Sequence, residues 1–179
     1  VCTQGQNITS DLLEACVLEA DDKARFEVYS LNQIIEEQAK IYALQANEKH
    51  IDFQIIIPAR QFFFELDRNK FIRALNNLFF NALRFTDNNG YIHIVLSDSG
   101  GKARIEVRDS GSGIPEELQK EIFKKYSGSK SYGSQVNRHT GMGLYIVKRI
   151  IELHNGNVEF TTSKNGTVFI IELKSGIIL

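Results

Sequence analysis

The chain has 179 residues, 42% of them hydrophobic, and a formal net charge of −1. This length suits one globular domain with at most a short attachment, and the near-neutral charge argues against nucleic acid or an anionic membrane as the main partner. No stretch reaches the roughly 20 apolar residues that cross a bilayer, and the N-terminus lacks the pattern of a signal peptide. The two cysteines, Cys2 and Cys16, have neither metal-ligand nor redox spacing, which favours a cytoplasmic setting.

The first half of the chain predicts two helices, two short strands and then a long third helix. Residues 10–27 are acidic and carry apolar residues at the spacing of an amphipathic helix. Ser30 is a candidate N-cap for the second helix. Residues 51–58 and 62–66 have the composition of strands, and Asp67 is a candidate N-cap for the long helix, which ends near the turn sequence TDNNG.

The second half of the chain mixes hairpins with shorter helices. Residues 91–109 alternate with period two and predict a β-hairpin, whereas residues 115–126 predict a short helix. The polar segment 127–140 is rich in glycine and serine and predicts a loop, 141–156 predict a helix, and 157–173 predict a terminal hairpin. Helices that alternate with antiparallel pairs predict an α+β fold, a two-layer α/β sandwich whose mixed, mostly antiparallel sheet has helices on one face.

A polar stripe interrupts the long helix. At about 100° per residue, Asn77, Asn81 and Arg84 fall within roughly 60° of one another, opposite the apolar side, and Phe85 lies beside them. A solvated helix face usually carries Glu and Lys, which favour helix more than Asn does. Amide oxygens can ligate Mg²⁺, amide NH₂ groups can donate to phosphate, and arginine can pair with phosphate. The stripe is therefore either a solvated face or a strip that binds a metal and phosphates.

Asp109 ends a strand in which alternate residues are apolar. Ala103, Ile105 and Val107 share its face, so the alternation places a carboxylate on the buried side. An unpaired buried carboxylate is costly, and Asp109 therefore needs a donor. Either it forms an Asx-turn into the following SGSG, or it accepts a hydrogen bond from an exocyclic amine of a ligand. In the second case Gly111 and Gly113 would let the backbone approach that ligand closely.

Two glycines open the helix predicted over 141–156. Gly141 and Gly143 leave free N–H groups and a positive dipole end that can bind an anion, although a Gly-x-Gly sequence alone is weak evidence. The preceding loop carries Lys130 and Arg138, which could close over phosphates or could be ordinary solvated charges.

The ordered set of motifs resembles the ATP-binding domain of sensor histidine kinases. In chain order they are NNLFFNALRFT for the N-box, DSGSGIP for the first glycine box, IFKKY for the F-box and TGMGL for the second glycine box. The resemblance covers roughly residues 28–174. It implies the Bergerat fold, which is shared with gyrase, Hsp90 and MutL.

This resemblance implies that ATP and Mg²⁺ bind across the four motifs. Asn81 would be the Mg²⁺ ligand, with Asn77 in its shell, Arg84 at the phosphates and Phe85 packed on the adenine. Asp109 would accept from the adenine amino group, and Phe123 would anchor the loop between the glycine boxes. The remaining implied ATP-binding positions are Gly111, Gly113, Ile114, Lys130, Arg138, Thr140, Gly141, Met142, Gly143 and Leu144.

One position separates the kinases from the hydrolases of this group. In the hydrolytic members a Glu that activates water lies one turn before the metal-binding Asn, and here that residue is Asn77. Without a base at that place, water attack should be poor, which favours a kinase. The second glycine box departs from the family, because His139 stands in place of its first glycine and restricts the backbone there.

None of the four histidines lies in a phosphoacceptor H-box. We therefore expect residues 1–27 to be the remnant of a helical dimerisation hairpin and residues 28–179 to be the catalytic domain. The acceptor hairpin of the parent kinase and, through the parent, a response regulator would be its partners. We expect the piece to be monomeric and cytoplasmic, from a parent that could be anchored in a membrane. The alternatives are a non-catalytic nucleotide-sensing domain and a serine-directed kinase of the anti-sigma type.

Overall fold

The computed structural model of the protein describes residues 24–125, 142–174 and 176–178. Eight strands and four helices lie in this part of the chain, and we number them in chain order. They are β1 Glu27–Ser30, α1 Leu31–Glu48, β2 Asp52–Ile56, β3 Phe62–Leu66, α2 Arg68–Phe85, β4 Tyr91–Asp98, β5 Ala103–Asp109, α3 Glu116–Gln119, α4 Gly143–Leu153, β6 Asn157–Ser163, β7 Gly166–Leu173 and β8 Ile177–Ile178.

The main sheet has five strands in the order β2-β4-β5-β7-β6. Only the β2–β4 pair is parallel, and the other three pairs are antiparallel. Alternate residues of each strand point into one hydrophobic core that the buried sides of α1, α2 and α4 complete. The predicted α+β sandwich with a mixed, mostly antiparallel sheet and helices on one face is confirmed.

Side-chain caps start the first two helices at the predicted residues. Ser30 Oγ accepts a hydrogen bond from the Gln33 N–H at 3.3 Å. Asp67 Oδ1 accepts one from the Lys70 N–H at 3.0 Å. Each cap satisfies a backbone donor that the first turn of a helix leaves without an intrahelical partner. The cap at Asp67 therefore determines where α2, the helix with the polar stripe, begins.

Aromatic packing sets α2 against α1. The ring of Tyr42 on α1 stacks on Phe79 of α2 with the centroids 4.0 Å apart. Its hydroxyl donates to Asn76 Oδ1 at 2.7 Å. Burial raises the pKa of this hydroxyl far above its ordinary value, so it stays protonated and remains a donor. With Phe71 and Leu78 also buried, the polar stripe of α2 faces away from the core.

The structure corrects three local expectations. A second sheet, β1-β3-β8, includes two very short strands that the sequence did not predict. The helix predicted over 10–27 is wrong at its C-terminal end. Residues 24–26 are not helical, and Glu27 begins β1, where it pairs with Leu66. Residues 1–23 lie outside the described part. The short helix predicted over 115–126 is only α3, and turns follow it. A strand of four residues such as β1 is too short to show a period, so pairing with a neighbouring strand, and not local pattern, determines where it forms.

Among the described residues, no helix combines the length and the apolar character that crossing a membrane requires.

Candidate nucleotide-binding site

Asp109 forms one end of the candidate site. Its side chain is 6% exposed, at the C-terminal end of β5 on the core face, as strand parity predicted. Oδ1 accepts hydrogen bonds from the N–H of Gly111 at 2.8 Å and of Thr167 at 3.2 Å. Oδ2 accepts no hydrogen bond from the described residues. Burial raises the pKa of Asp109, and the two N–H donors offset part of that rise. One carboxylate oxygen therefore holds the loop, while the other is left for a donor that the described chain does not supply.

Two glycines allow the loop after Asp109 to lie flat against its neighbours. A Cβ on Gly111 would lie 2.6 Å from the carbonyl oxygen of Phe85, at the end of α2. Gly113 has φ +75°, and a Cβ there would overlap the carbonyl oxygen of Ser163. Neither position has room for a side chain. The two glycines thus let this loop pack tightly between the end of α2 and the β6–β7 hairpin.

Two threonines of the terminal hairpin belong to the same hydrogen-bonded network, and the sequence did not predict them. Thr167 pairs with Asp109 across β5 and β7, and it is 5% exposed. Its hydroxyl lies 3.1 Å from the hydroxyl of Thr162, which accepts a hydrogen bond from the Ile114 N–H at 2.9 Å. Threonines beside a predicted turn are a common pattern, and only the strand order β5-β7-β6 brings these two to the Asp109 loop. The predicted site residue Ile114 is thereby held through its backbone.

The polar stripe of α2 forms the other end of the candidate site. Asn77 and Asn81 are partly exposed, and among the described residues no hydrogen bond engages either side-chain amide. Arg84 and Phe85 are exposed at the end of the helix, with the Arg84 guanidinium carbon 5.1 Å from the centroid of the Phe85 ring. Phe85 is 52% exposed, which is unusual for so large an apolar ring. The stripe therefore presents amides, a guanidinium and an aromatic face that the described chain leaves accessible.

The start of α4 meets this stripe. A Cβ on Gly143 would lie 3.6 Å from Asn77 Oδ1, so the N-box and the second glycine box are neighbours, as their shared role predicts. Met142, just before the helix, is fully buried in the hydrophobic core, and Leu144 packs against that core. Only their backbone groups, together with Gly143, are suited to face an anion at this helix end.

Phe123 lies just before the segment that leads to α4. Its ring packs on Phe160 and Phe169, with centroids 6.0 and 6.4 Å away. Across the segment, Lys125 Nζ lies 5.9 Å from the centroid of the Tyr145 ring on α4. Phe123 therefore packs against the hydrophobic core, and its role as an anchor of the following segment stays a prediction. The predicted residues Lys130, Arg138, Thr140 and Gly141, and also His139, lie outside the described residues.

Comparisons with known proteins point to one family. Residues 66–177 match the family described as histidine kinase-, DNA gyrase B-, and HSP90-like ATPase. Hybrid signal transduction histidine kinase D of Dictyostelium discoideum is 33% identical over 175 residues, which cover 93% of this chain and 11% of that protein. The solved catalytic domain of histidine kinase ThkA is 33% identical, with a TM-score of 0.71, over 84% of this chain and 95% of that one. ThkA in complex with the response regulator protein TrrA is 30% identical, with a TM-score of 0.71, over 97% of this chain and 51% of that one.

The chain belongs to the family of histidine kinase-, DNA gyrase B- and HSP90-like ATPases, as an ATP-binding catalytic domain of the sensor histidine kinase type. The predicted Bergerat fold and the predicted likeness to the catalytic domain of sensor histidine kinases are confirmed. The chain spans 11% and 12% of the length of two of the curated relatives that it matches.

Proposed function

We propose that this domain holds Mg²⁺-ATP for transfer of the γ-phosphoryl group to a histidine on a separate dimerisation hairpin. The observation that carries the proposal is the proximity of Asn77 Oδ1 to Gly143, where a Cβ would lie 3.6 Å from that oxygen. It puts an amide, and not a carboxylate, beside the helix end that suits the phosphates. An amide cannot take a proton from water, so the γ-phosphoryl is kept for another acceptor.

The residues present fit a magnesium ion. Mg²⁺ prefers oxygen ligands and usually shares its shell between one or two protein groups, substrate phosphates and water. Asn77 and Asn81 present two amide oxygens that no described residue engages, on the same helix as Arg84. Asn81 would hold the ion, with Asn77 close by. The ion would supply charge neutralisation at the phosphates.

The other residues act by binding and orientation. Asp109 Oδ2 accepts a hydrogen bond from the 6-amino group of adenine, while Oδ1 keeps its hydrogen bonds from the N–H groups of Gly111 and Thr167. The exposed Phe85 ring covers one face of the base. Backbone N–H groups at the start of α4 and the Arg84 guanidinium receive the phosphates. Held at both ends, the triphosphate points its γ-phosphoryl toward an acceptor, and positioning supplies most of the catalysis.

The acceptor and the downstream partner are also proposals. Of the described histidines, His50 lies in a turn, His93 in a strand and His154 at a helix end, and none has the H-box pattern. The acceptor histidine would come from the dimerisation hairpin of the parent kinase, of which the residues before 24 would be the end, since residues 24–27 contact the catalytic domain. ThkA, 30% identical to this chain, is known in complex with a response regulator, which supports a response regulator as the final acceptor here.

Transphosphorylation tests the proposal. The domain is mixed with γ-labelled Mg²⁺-ATP and with a hairpin that carries the parent's acceptor histidine, or with its His→Ala variant. We expect an acid-labile phosphoryl group on the first hairpin and none on the second, and no transfer from Asp109→Asn. Binding of ATP without any transfer would favour a nucleotide-sensing domain instead. An acid-stable product on a serine protein would favour the anti-sigma type.

A further inference from the structure

A buried histidine lies at the end of α4 remote from Gly143. His154 is 8% exposed. Its Nε2 accepts a hydrogen bond from the Asp67 backbone N–H at 2.9 Å, and Nδ1 lies 2.7 Å from the Ile150 carbonyl oxygen. Because a backbone N–H only donates, Nε2 carries no proton, and Nδ1–H must donate to Ile150. The network therefore requires a neutral imidazole in one tautomer.

The partner of His154 is the residue that starts α2. Asp67 caps that helix through Oδ1, which accepts from the Lys70 N–H at 3.0 Å. Asp67 Oδ2 accepts from the Arg25 N–H at 3.2 Å, in the segment that leads into β1. The rings of Phe26 and Phe71 pack edge-on against His154, with centroids 5.3 and 5.9 Å away. One imidazole thus joins the end of α4, the cap of α2 and the segment before β1.

The same two helices meet again at the candidate site. Asn77 of α2 lies against Gly143, the first residue of α4. At 1.5 Å per residue, the 11 residues of α4 separate its two ends by about 16 Å. A helix of this length is stiff, so a hydrogen bond that holds one end also limits how the other end can slide or tilt.

We infer that neutral His154 is a positioning residue for the nucleotide site, because it holds α4 on the N-cap of α2 and so sets how Gly143 meets Asn77. The inference rests on the proposed binding of ATP at that contact. His154 itself lies at the other end of α4 from Gly143, outside the proposed nucleotide site.

Protonation of His154 opposes this arrangement. A proton on Nε2 would face the Asp67 N–H, donor against donor, and break the tie between the helices. Burial lowers the pKa of His154, although the Ile150 carbonyl and the Asp67 carboxylate counter this in part. Three other charged residues lie on the elements that surround the imidazole ring. They are Lys70 of α2, Arg25 before β1 and Glu152 of α4. Affinity for ATP is therefore full at neutral and alkaline pH and falls as pH drops below the ordinary histidine range.

Calorimetric titration with a non-hydrolysable ATP analogue and Mg²⁺, at pH 8 and pH 5, tests the inference. His154→Gln keeps an acceptor for the Asp67 N–H at both pH values, whereas His154→Leu removes it. We expect His154→Gln to bind within about twofold of wild type at pH 8 and His154→Leu to bind about fivefold or more weakly. From pH 8 to pH 5, wild type should lose several-fold more affinity than His154→Gln, because only wild type can gain a proton at this position. Titration of the phosphates and of other side chains is common to both proteins and cancels in their ratio.

His93→Gln is the matched control, since His93 is a half-buried histidine on the opposite face of the sheet. Its affinity at both pH values should equal that of wild type. Equal affinities and equal pH dependence of wild type, His154→Gln and His154→Leu would overturn the inference and leave His154 as a core residue only. If His154→Leu does not fold, the change between pH 8 and pH 5 in the ratio of wild-type affinity to His154→Gln affinity decides alone. Absence of binding to the wild type would overturn the proposed function and this inference with it.

Discussion

The two ends of the candidate site differ in how many of their polar groups are already hydrogen-bonded within the protein. At the Asp109 end, backbone N–H groups, two threonines and two glycines without room for a Cβ fix the loop. At the stripe of α2, the Asn77 and Asn81 amides have no hydrogen-bond partner among the described residues. We take the first end to be preformed for the base and the second to be completed by the metal and the triphosphate. Recognition of the base and activation of the phosphates are therefore separable by mutation.

Asp109→Asn should break the preformed end with the largest effect on binding. The amide oxygen of Asn can still accept from Gly111 and Thr167, but its NH₂ group would face the adenine amine. A hydrogen bond to a charged group contributes about 1.5–3 kcal/mol, so we expect affinity for an ATP analogue to fall by about 100-fold.

The fold should tolerate the same substitution. A raised pKa means that folded Asp109 holds its proton more tightly than the unfolded chain, so its ionisation costs stability as pH rises above the ordinary Asp range. At pH 7 that cost is present in wild type and absent from Asp109→Asn. Urea denaturation at pH 7 should therefore show no loss of stability, and a marked loss would contradict the assignment of Oδ2 to a ligand.

Gly113→Ala should damage the preformed end through packing. Its matched control is Gly100→Ala, because Gly100 has a similar φ of +66° and a Cβ there would have nothing within 4 Å. Both variants carry the strain of a positive φ, but only Gly113→Ala must displace the Ser163 carbonyl. Overpacking typically costs about 1–3 kcal/mol, so Gly113→Ala should be about 2 kcal/mol less stable than the control in urea denaturation. Equal stabilities would show that the loop is not held against the hairpin.

Asn81→Ala should affect only the metal-dependent part of binding. Changes in the outer shell of a metal site alone usually cost about 10–100-fold in metal affinity, so loss of a ligand should reduce the Mg²⁺-dependent gain in ATP affinity by at least about tenfold. Binding without Mg²⁺ should change little. Asn76→Ala is the control on the same helix, because its amide is bonded to Tyr42. It should lose about 1 kcal/mol of stability and keep the full Mg²⁺ effect.

Arg84→Gln should have the smallest effect. Arg84 is exposed, so its attraction to phosphate is screened by salt. We expect about threefold weaker binding at low ionic strength and almost no difference at high ionic strength. Arg60→Gln removes an exposed arginine that pairs with Asp98, and it should leave affinity unchanged at both. A loss that does not depend on salt would mean that Arg84 is less exposed to solvent in the complex than in the free domain.

Local signals in the sequence were enough for the main helices, the individual strands of the five-stranded sheet and the positions of the motifs. Ser30 and Asp67 have side chains that accept hydrogen bonds at a helix start, and they cap α1 and α2 as predicted. The alternation of apolar residues in β5 places Asp109 on the buried face. Thr162, Thr167 and the His154–Asp67 hydrogen bond were out of reach, because they depend on which strands and helix ends become neighbours. The strands β1 and β8 were missed for the same reason, since pairing with β3 and not local pattern forms them.

The most direct measurement is a calorimetric comparison of non-hydrolysable ATP and GTP analogues on the wild-type domain, each with and without Mg²⁺. A preformed base end with an open carboxylate oxygen predicts that only the ATP analogue binds, since guanine presents a carbonyl where adenine presents its amino group. The open amides of α2 predict that Mg²⁺ strengthens this binding. Equal affinity for the two analogues, or binding that ignores Mg²⁺, would contradict the division of the site into these two ends.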